Sequence, residues 1–336
     1  MDARKLRSQS HAPSGPPISH AVEAHGISRA YGSFTAVDDL SFSADPGEIL
    51  GVLGPNGAGK TTAIRVLTTI LAPTRGTFFV AGVPHTRPAE IRRSIGVLPE
   101  SSGYPEGRTG EEYLRYHARL FGQTRAGASA TAGSLLGTVG LADRRRSLVG
   151  SYSRGMRQRL GIARALVNEP TVVFLDEPTL GLDPAGQREM LALVRQLAEE
   201  RGTAVLLSTH LLSEVEEICT RVLILNRGRV AAEGTVSDVV LRAAAPRSIK
   251  LRVAPEHVPR ALEVLATVSG VILARPADRP NGWISVTLRV VGERSNDELA
   301  NAGLRAIVNA SIPVLSFELE GAGLSDAFLA MTGGTR

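Results

Sequence analysis

Apolar residues along the chain occur in two spacings that predict different elements. Short continuous apolar runs predict buried strands of a parallel sheet at Ile49–Leu53, Thr171–Leu175 and Ala204–Ser208. Apolar residues three or four positions apart predict helices at Thr61–Leu71 and Ser153–Val167. Because strands and helices alternate, the pattern predicts an α/β fold built on a mainly parallel sheet.

Weaker patterns on either side of these runs predict further elements. Strands are expected at Val22–Ile27, Ala36–Ser43, Thr77–Val80, Ser94–Leu98, Val222–Leu225 and Arg229–Ala232, the last two forming a hairpin. Helices are expected at Thr109–Leu120, Ser134–Val139 and Gln187–Glu200, with Gly122–Gly133 as a connection rich in small residues. Side chains that predict helix starts are Thr109 with Glu112, Ser153, and Ser213 with Glu216.

A second pattern begins after Ala243–Pro246, where the composition changes. It reads strand, helix, strand, strand, helix, strand, at Ser248–Val253, Glu256–Leu265, Gly270–Ala274, Trp283–Val290, Asn296–Ala310 and Pro313–Glu318. This order predicts a split βαβ, ferredoxin-like α+β domain, followed by a short helix at Leu324–Met331. We therefore expect a disordered tail at 1–20, one domain at 21–243 and a second at 247–336, as the length of 336 residues suggests.

Composition narrows the class of protein. A hydrophobic content of 43% and a charged content of 21% are ordinary for a globular protein, and no apolar run is long enough for a transmembrane helix. The first residues lack the apolar core of a signal peptide, and the single Cys219 excludes an internal disulfide and suits a reducing cytosol. The net charge is +5, and the basic residues are scattered along the chain. This distribution favours a solvated surface over a nucleic-acid binding site, and proximity to a membrane is a second interpretation.

One stretch carries a specific chemical signal. Gly54–Thr61 fits the pattern G-x-x-x-x-G-K-[ST] and lies between a predicted strand and a predicted helix. Glycines let backbone N–H groups point inward at a phosphate, and the helix N-terminus adds partial positive charge. Lys60 is placed to reach the β- and γ-phosphates, and the Thr61 hydroxyl to hold Mg²⁺.

The alternative is a glycine-rich turn that contains a lysine by chance. Lys5, Lys60 and Lys250 are the only lysines among 38 basic residues, so this arginine-rich chain has a compact point charge in the loop. We therefore expect a nucleotide site. The loop residues assigned to it are Gly54, Asn56, Gly57, Gly59, Lys60, Thr61 and Thr62.

Polar residues at the ends of two other predicted strands could complete the chemistry. Asp176 follows one buried run, where a carboxylate at the edge of a parallel sheet can hold Mg²⁺ through water. Glu177 could orient or deprotonate an attacking water, and His210 could contact the γ-phosphate. Taken alone, the same residues are also compatible with a surface acidic pair and a structural histidine.

From about Val22 to Thr235 the sequence resembles the ATP-binding subunits of ABC transporters. The residues that carry the resemblance follow the order and spacing of the family's motifs. They are Tyr31 (the aromatic that stacks on adenine), Gly54–Thr61 (Walker A), Ser153–Arg159 (signature), Val172–Asp176 (Walker B), Glu177 (catalytic carboxylate), Gly181–Asp183 (D-loop) and His210 (switch histidine).

The resemblance implies a P-loop NTPase domain, with antiparallel β and helical subdomains, that uses ATP and Mg²⁺. It implies catalytic roles for Lys60, Glu177 and His210, and a Mg²⁺ site at Thr61 and Asp176. It also implies that the phosphate loop of one subunit faces the signature helix of a second. Ser153, Gly155 and Asp183 would then contact the nucleotide held by the partner chain, which is expected to be a second copy.

Two departures from the family pattern indicate a subgroup. The usual L-S-G-G-Q signature is replaced by Tyr152–Met156, and the usual glutamine after Ile95–Pro99 is Glu100. We assign Glu100 to both catalysis and Mg²⁺. These variants, with the ending Leu324–Gly333, resemble the daunorubicin-exporter-like (ABC-2 type) subgroup, which implies export through a separate transmembrane permease.

The sequence thus predicts an ATPase subunit on the cytoplasmic face of the cell membrane that exports a drug or lipid-like compound. Two other interpretations are a soluble ABC ATPase acting on ribosomes or DNA, and a regulatory ATPase whose C-terminal domain senses a ligand. The chain has one cassette and lacks the charged linker or long coiled coil of the ribosome and DNA-repair classes. The transported compound is not encoded in this chain, because the membrane subunit selects it.

Overall fold

The structure, a computed structural model, describes residues 20–100, 103–242, 248–276, 282–288, 296–320 and 324–333. These residues form two compact units. The first takes the described residues of 1–52, 56–210 and 227–230, and the second takes those of 53–55, 211–226 and 231–336. The predicted tail and the predicted boundary at 243–246 fall outside the described residues, apart from His20, so the domain limits stay a prediction.

The secondary structure consists of the following strands and helices, in chain order. The strands are β1 (Val22–Tyr31), β2 (Phe34–Ala44), β3 (Ile49–Leu53), β4 (Arg75–Val80), β5 (Val83–Pro84), β6 (Ile95–Leu98), β7 (Val172–Asp176), β8 (Ala204–Ser208), β9 (Arg221–Asn226), β10 (Arg229–Thr235), β11 (Ser248–Val253), β12 (Val271–Pro276), β13 (Trp283–Leu288) and β14 (Val314–Glu320). The α-helices are α1 (Lys60–Leu67), α2 (Pro88–Ser94), α3 (Gly110–Leu120), α4 (Arg125–Thr138), α5 (Arg154–Ala165), α6 (Pro184–Arg201), α7 (Leu212–Ile218), α8 (Val236–Arg242), α9 (Val258–Ala266), α10 (Asn296–Asn309) and α11 (Leu324–Thr332).

Four strands of the first unit form the parallel sheet that the apolar runs predict. Strands β3, β8, β7 and β6 lie side by side in that order, with Leu50 opposite Leu206 and Val173 opposite Val205. Every residue of β3, β7 and β8 is buried, which explains why their sequences are continuously apolar rather than alternating. Their carboxyl ends lie at one edge, where the polar residues follow.

The first unit also contains an antiparallel sheet with the strand order β2-β1-β4-β5. Val22 of β1 pairs with Ala44 on one side and Val80 on the other, and all three side chains are fully buried. The tight turn at Tyr31–Phe34 joins β1 to β2. This sheet corresponds to the antiparallel β subdomain that the family resemblance implies.

The connection predicted at Gly122–Gly133 is wrong, because most of it belongs to helix α4. The Thr124 side chain accepts a hydrogen bond from Gly127 N at 3.1 Å and begins the helix. Ala128 and Ala132 are buried on its inner face, so small residues permit close packing in this helix rather than forming a flexible link. The composition suggested a connection because glycine and serine are common both in flexible connections and in closely packed helices.

Two of the three predicted helix starts are confirmed, and one is wrong. Thr109 and Glu112 form the expected capping box, with distances of 3.2 Å and 2.9 Å, and Ser153 caps α5. The Ser213 cap is wrong: α7 begins at Leu212, so Ser213 already lies in the helix and no side-chain cap is formed. Glu216 instead accepts a hydrogen bond from Leu324 N.

The second unit contains the sheet β12-β13-β11-β14, in which neighbouring strands are antiparallel. With α9 and α10 as its two connecting helices, this is the predicted split βαβ topology. Its core includes fully buried Val253, Ile284 and Ile307. No helix within the described ranges has both the length and the apolar character that crossing a membrane requires.

Gly96 of β6 is expected to be intolerant of a side chain because helix α5 packs directly on it. A Cβ at this position would lie 2.2 Å from the carbonyl oxygen of Ala165. Gly96→Ala should therefore destabilise the chain by about 1–3 kcal/mol or more, seen as a lower thermal unfolding temperature.

Gly133→Ala is the matched control, since a Cβ at this position on α4 meets nothing within 4 Å. It should hold or raise stability, because alanine is a better helix former than glycine by about 1 kcal/mol. Equal unfolding temperatures for both variants would contradict the packing described for β6 and α5.

Candidate active site

The phosphate loop runs from β3 into α1, as its sequence predicts. Gly59 has a φ of 104° and occupies the N-cap position of α1, where a Cβ would lie 2.4 Å from Ala36 O. Only glycine fits this combination of positive φ and close backbone approach. Gly59 has no side chain to cap the helix, and the partial positive charge at the start of α1 suits an anion.

The loop forms one wall of a cavity of about 450 Å³. The residues around it are Phe34, Ala36, Asn56, Gly57, Ala58, Gly59, Lys60, Thr61, Thr62, Glu100, Glu177, Leu180 and His210. Lys60 is only 8% exposed, and this burial lowers its pKa, against the opposing effects of Glu177, Asp176 and Glu100. The cavity therefore combines a buried cation, backbone donors and two carboxylates.

Asp176 lies at the end of β7, beside the phosphate loop. It is 4% exposed and accepts a hydrogen bond of 2.5 Å from Ser208 Oγ and a long one of 3.5 Å from Thr61 Oγ1. Ser208 is its register partner on β8, so the parallel ladder itself brings the two side chains together. Ser208 was not among the residues predicted for the site, although a polar residue at the end of an apolar run was an available signal.

The oxygen donors of Thr61 and Asp176 fit Mg²⁺. This ion is usually held by one or two carboxylates together with substrate phosphates and water, and not by an all-protein cage. A hydroxyl and a carboxylate beside a phosphate loop therefore meet the chemical requirement.

Glu177 and His210 form a pair at the ends of β7 and β8. His210 Nδ1 lies 2.8 Å from Glu177 Oε2, and the Glu177 side chain is 12% exposed against 48% for His210. Burial raises the pKa of Glu177, partly offset by His210 and Lys60, while Asp176 raises it further. A carboxylate with a raised pKa, oriented by a second group, is suited to act as a general base.

The backbone holds Glu177 in an unusual conformation. Its φ of 52° lies in the left-handed region, which a glutamate rarely adopts. The Glu177 N–H donates to Ser208 O at 3.0 Å and so fixes the turn after β7. Strain of this kind is found at positions that the surrounding structure over-determines, and active sites are frequent among them.

The predicted adenine-stacking residue, Tyr31, is not among the residues that line this cavity. Its ring is 43% exposed, and the Arg29 guanidinium carbon lies 4.8 Å from the ring centroid. Phe34, three residues further on, is 63% exposed and lines the cavity instead. Phe34 was not among the residues predicted for the site, although an aromatic side chain in the same turn as Tyr31 was an available signal.

The predicted partner-facing residues lie at exposed helix starts and are likewise not among the cavity-lining residues. Ser153 accepts a hydrogen bond from Met156 N at 3.2 Å, and Asp183 accepts one from Gly186 N at 3.2 Å. Gly155 follows in the first turn of α5. Gly54, at the start of the phosphate loop, also does not line the cavity.

Comparison with known proteins decides the family. The profile of the ABC transporter family matches residues 37–180. The daunorubicin/doxorubicin resistance ATP-binding protein DrrA of Streptomyces peucetius is 37% identical over 318 residues, which are 93% of this chain and 92% of that protein. The chain belongs to the ABC transporter ATP-binding family. The resemblance seen in the sequence motifs is thereby confirmed.

Two further likenesses agree with this assignment. The Nod factor export ATP-binding protein I of Paraburkholderia xenovorans (strain LB400) is 41% identical over 221 residues, covering 66% of this chain and 72% of that protein. A solved structure of the ATP-binding subunit of an ABC transporter is 33% identical, with a TM-score of 0.60, and covers 66% of this chain and 92% of that chain.

A third likeness supports the fold alone. The ATP-binding cassette MJ0796, solved as a dimer in a post-hydrolysis state with ADP and Pi, is 23% identical with a TM-score of 0.59, covering 64% of this chain and 98% of that chain. The protein is thus an ABC-type P-loop ATPase that binds and hydrolyses ATP, and the predicted fold class and enzyme class are confirmed.

The raised pKa of Glu177 predicts that its charge destabilises the folded chain. When a carboxyl has a higher pKa in the folded than in the unfolded state, the folded state loses stability as the pH rises through this range. Without nucleotide, Glu177→Gln should therefore unfold a few degrees higher than the wild type at pH 7, and the difference should shrink towards pH 4.

Glu199→Gln is the control, because Glu199 is exposed on α6. It should leave the unfolding temperature unchanged at both pH values. An advantage of Glu177→Gln that grows on acidification would mean that the pKa is lowered, contrary to the effect of burial.

Proposed function

We propose that this ABC ATPase is the energy-supplying subunit of an exporter and works as a homodimer on a separate ABC-2-type membrane subunit. The role in ATP hydrolysis is supported by one observation: the phosphate loop and the Glu177–His210 pair line the same cavity. A phosphate cradle and an oriented carboxylate in one cavity are the parts that hydrolysis of a nucleoside triphosphate requires.

The polar groups in and beside the cavity have distinct roles in this proposal. Lys60 and the N–H groups at the start of α1 bind the β- and γ-phosphates of ATP. Thr61, Asp176 and Glu100 would hold Mg²⁺, which would supply positive charge to neutralise the phosphate oxygens. Ser208 keeps the Asp176 carboxylate oriented through its 2.5 Å hydrogen bond.

Glu177 and His210 act on the attacking water. Glu177 accepts a proton from this water, and its raised pKa makes it a stronger base than an ordinary carboxylate. His210 holds the Glu177 carboxylate through Nδ1. It is also the residue assigned to contact the γ-phosphate. Lys60 neutralises charge that develops on the phosphate oxygens.

The groups outside the cavity are assigned to the second copy. Ser153, Gly155 and Asp183 lie at the starts of α5 and α6, where the partial positive charge of a helix N-terminus suits a γ-phosphate presented by another chain. ATP would then lie between two chains and hold them together until hydrolysis. Phe34 and Tyr31, both exposed in the β1–β2 turn, are the candidates for stacking on adenine.

Names of similar proteins support export. They include daunorubicin/doxorubicin resistance, Nod factor export and bacitracin transport ATP-binding proteins. Their named compounds differ widely, which supports only a drug or lipid-like organic cargo for this chain. The subunit would lie in the cytoplasm on the inner face of the membrane, where its partner selects the cargo.

Glu177→Gln should lower ATP turnover by about 10²-fold or more, because it removes the base and leaves the phosphate-binding groups intact. ATP should still bind, and because it is not consumed, an ATP-dependent dimer should accumulate. Steady-state phosphate release and light scattering after size exclusion measure the two effects. Unchanged turnover would remove Glu177 from the proposed mechanism.

Ser153→Arg in the Glu177→Gln chain separates a composite site from a single-chain site. It should leave ATP binding by one chain intact and abolish the dimer, since Ser153 would meet only the partner's nucleotide. Ser134→Arg, which adds the same charge at an exposed position of α4, should keep the dimer. Loss of ATP binding by the single Ser153→Arg chain would contradict the two-chain site.

The exporter assignment predicts a membrane partner. Affinity capture of the tagged chain from detergent-solubilised membranes of its own organism should recover a polytopic membrane protein, and adding that protein should stimulate the ATPase. Capture from the soluble fraction is the control. Recovery of ribosomes or DNA repair proteins in place of the membrane protein would overturn export and favour the soluble ATPase.

A further inference from the structure

A second cavity, of about 540 Å³, lies in the first unit between the starts of α3 and α4. Its lining residues differ from those of the candidate active site. The charged residues around it are Arg108, Glu112, Arg115, Arg119 and Arg125. Its volume lies within the range of pockets that hold small molecules, about 300–1,000 Å³.

Positive charge dominates the walls of this cavity. Four arginines line it against one carboxylate, that of Glu112. Arg115 and Arg119 lie on α3, Arg108 precedes this helix, and Arg125 begins α4. The fold therefore gathers at one place cations that are separated along the sequence.

The carboxylate of Glu112 is already engaged at the start of α3. Its Oε2 accepts a hydrogen bond from Thr109 N at 2.9 Å as part of the capping box. This hydrogen bond, aided by the charges of Arg108 and Arg115, lowers the pKa of Glu112. Glu112 is therefore ionised at neutral pH and shared between the helix cap and two arginines, so it cannot neutralise all four.

Arg125 stands where helix stability alone disfavours a cation. It is the first residue of α4, and the first turn of this helix contains no acidic residue. Because a helix N-terminus carries partial positive charge, an arginine at this position is unfavourable. Arg115 and Arg119 repel each other as well, since they lie one turn apart on α3. Departures from local stability rules of this kind are expected at functional sites.

Two tyrosines also line the cavity and differ in exposure. Tyr113 is 6% exposed, and its ring centroid lies 5.7 Å from that of Tyr104 and 4.7 Å from that of His117. Tyr116 is 61% exposed, and its ring packs edge-on against His117 at 5.4 Å. Aromatic packing therefore fixes the α3 wall of the cavity before any ligand binds.

The chemistry of these walls suits a phosphate group. Each guanidinium presents N–H donors in a planar fork that matches the oxygens of a phosphate or a carboxylate. A carboxylate has two oxygens, whereas a phosphate group has more and can engage several arginines together. Clusters of arginine are accordingly a recurring means of recognising phosphate groups.

We propose that the cavity between α3 and α4 binds a phosphate group, carried either by a membrane phospholipid or by a soluble phosphate ester. Arg108, Arg115 and Arg125 contact the phosphate oxygens. Arg119, whose guanidinium also donates to Gln123 O, adds positive charge. This inference goes beyond the proposed function and does not rest on it.

Arg115→Gln and Arg125→Gln test the site through binding by the full chain, with MgADP at saturation so that the phosphate loop is occupied. Titration calorimetry with inorganic pyrophosphate represents a soluble phosphate. Flotation with vesicles of equal parts phosphatidylglycerol and phosphatidylcholine represents the phospholipid. In the arm that binds the wild type, each variant should raise the dissociation constant on the order of tenfold, since each removes a charge-assisted hydrogen bond.

Arg260→Gln is the matched control, because Arg260 is exposed on α9 and its replacement removes the same charge. It should bind as tightly as the wild type. An equal loss for Arg260→Gln, Arg115→Gln and Arg125→Gln would mean that the positive chain attracts anions without a site, and would overturn the proposal.

Arg115→Lys separates a built site from diffuse attraction, since it keeps the charge and loses the planar fork. It should bind severalfold more weakly than the wild type, because lysine cannot form the paired hydrogen bonds of a guanidinium. Binding equal to that of the wild type would show diffuse attraction and would overturn the proposal.

Thermal unfolding without ligand checks that the variants are folded. Arg125→Gln should hold or raise the unfolding temperature, since it removes a cation from the start of α4. The probe that binds should raise the unfolding temperature of the wild type, and should raise that of Arg125→Gln less. An equal rise for both chains would place the bound probe outside this cavity and contradict the proposal.

The two arms also identify the source of the phosphate. Binding of pyrophosphate supports a soluble ligand, and flotation without pyrophosphate binding supports a phospholipid headgroup. If neither probe binds, the proposal fails. Should Arg115→Gln then lose the membrane protein recovered by affinity capture, the cavity is a contact between proteins. None of these outcomes alters the roles assigned to the residues of the ATPase site.

Discussion

The parallel pairing of β7 with β8 is the interaction on which the site depends. Its ladder places Asp176 beside Ser208, and their 2.5 Å hydrogen bond orients a carboxylate that is 4% exposed. Hydrogen bonds to charged groups contribute about 1.5–3 kcal/mol, and an unpaired buried carboxylate would cost more. Glu177 directly follows the end of β7, and His210 follows the end of β8 by two residues. The pairing of the two strands therefore also brings Glu177 and His210 to the same edge of the sheet.

The active site concentrates features that are unfavourable for stability. Lys60 is nearly buried, Glu177 is buried enough to raise its pKa, and Glu177 also has a positive φ. The fully buried strands below it supply the hydrophobic stabilisation that offsets these costs.

Sequence patterns predicted the strands and the phosphate loop with little error, because buried parallel strands are continuously apolar and the loop has a strict spacing. They failed at α4, where small residues that resemble a linker instead pack closely against a neighbouring helix. They also missed Ser208 and Phe34. Ser208 belongs to the site because it lies opposite Asp176 in the sheet, and Phe34 because it lines the cavity. Ser213 was assigned as a cap because local pattern cannot show that Glu216 has a partner more than 100 positions away.

The sequence by itself determined the family, the phosphate-binding chemistry and the identity of the acidic residues, since these depend on residue types at fixed separations along the chain. The tertiary structure decided which of these residues share a cavity, because burial and strand register depend on contacts between distant segments. It placed Glu177 within 2.8 Å of His210 and raised its pKa. It also placed a terminal helix against α7, a contact that no local spacing encodes.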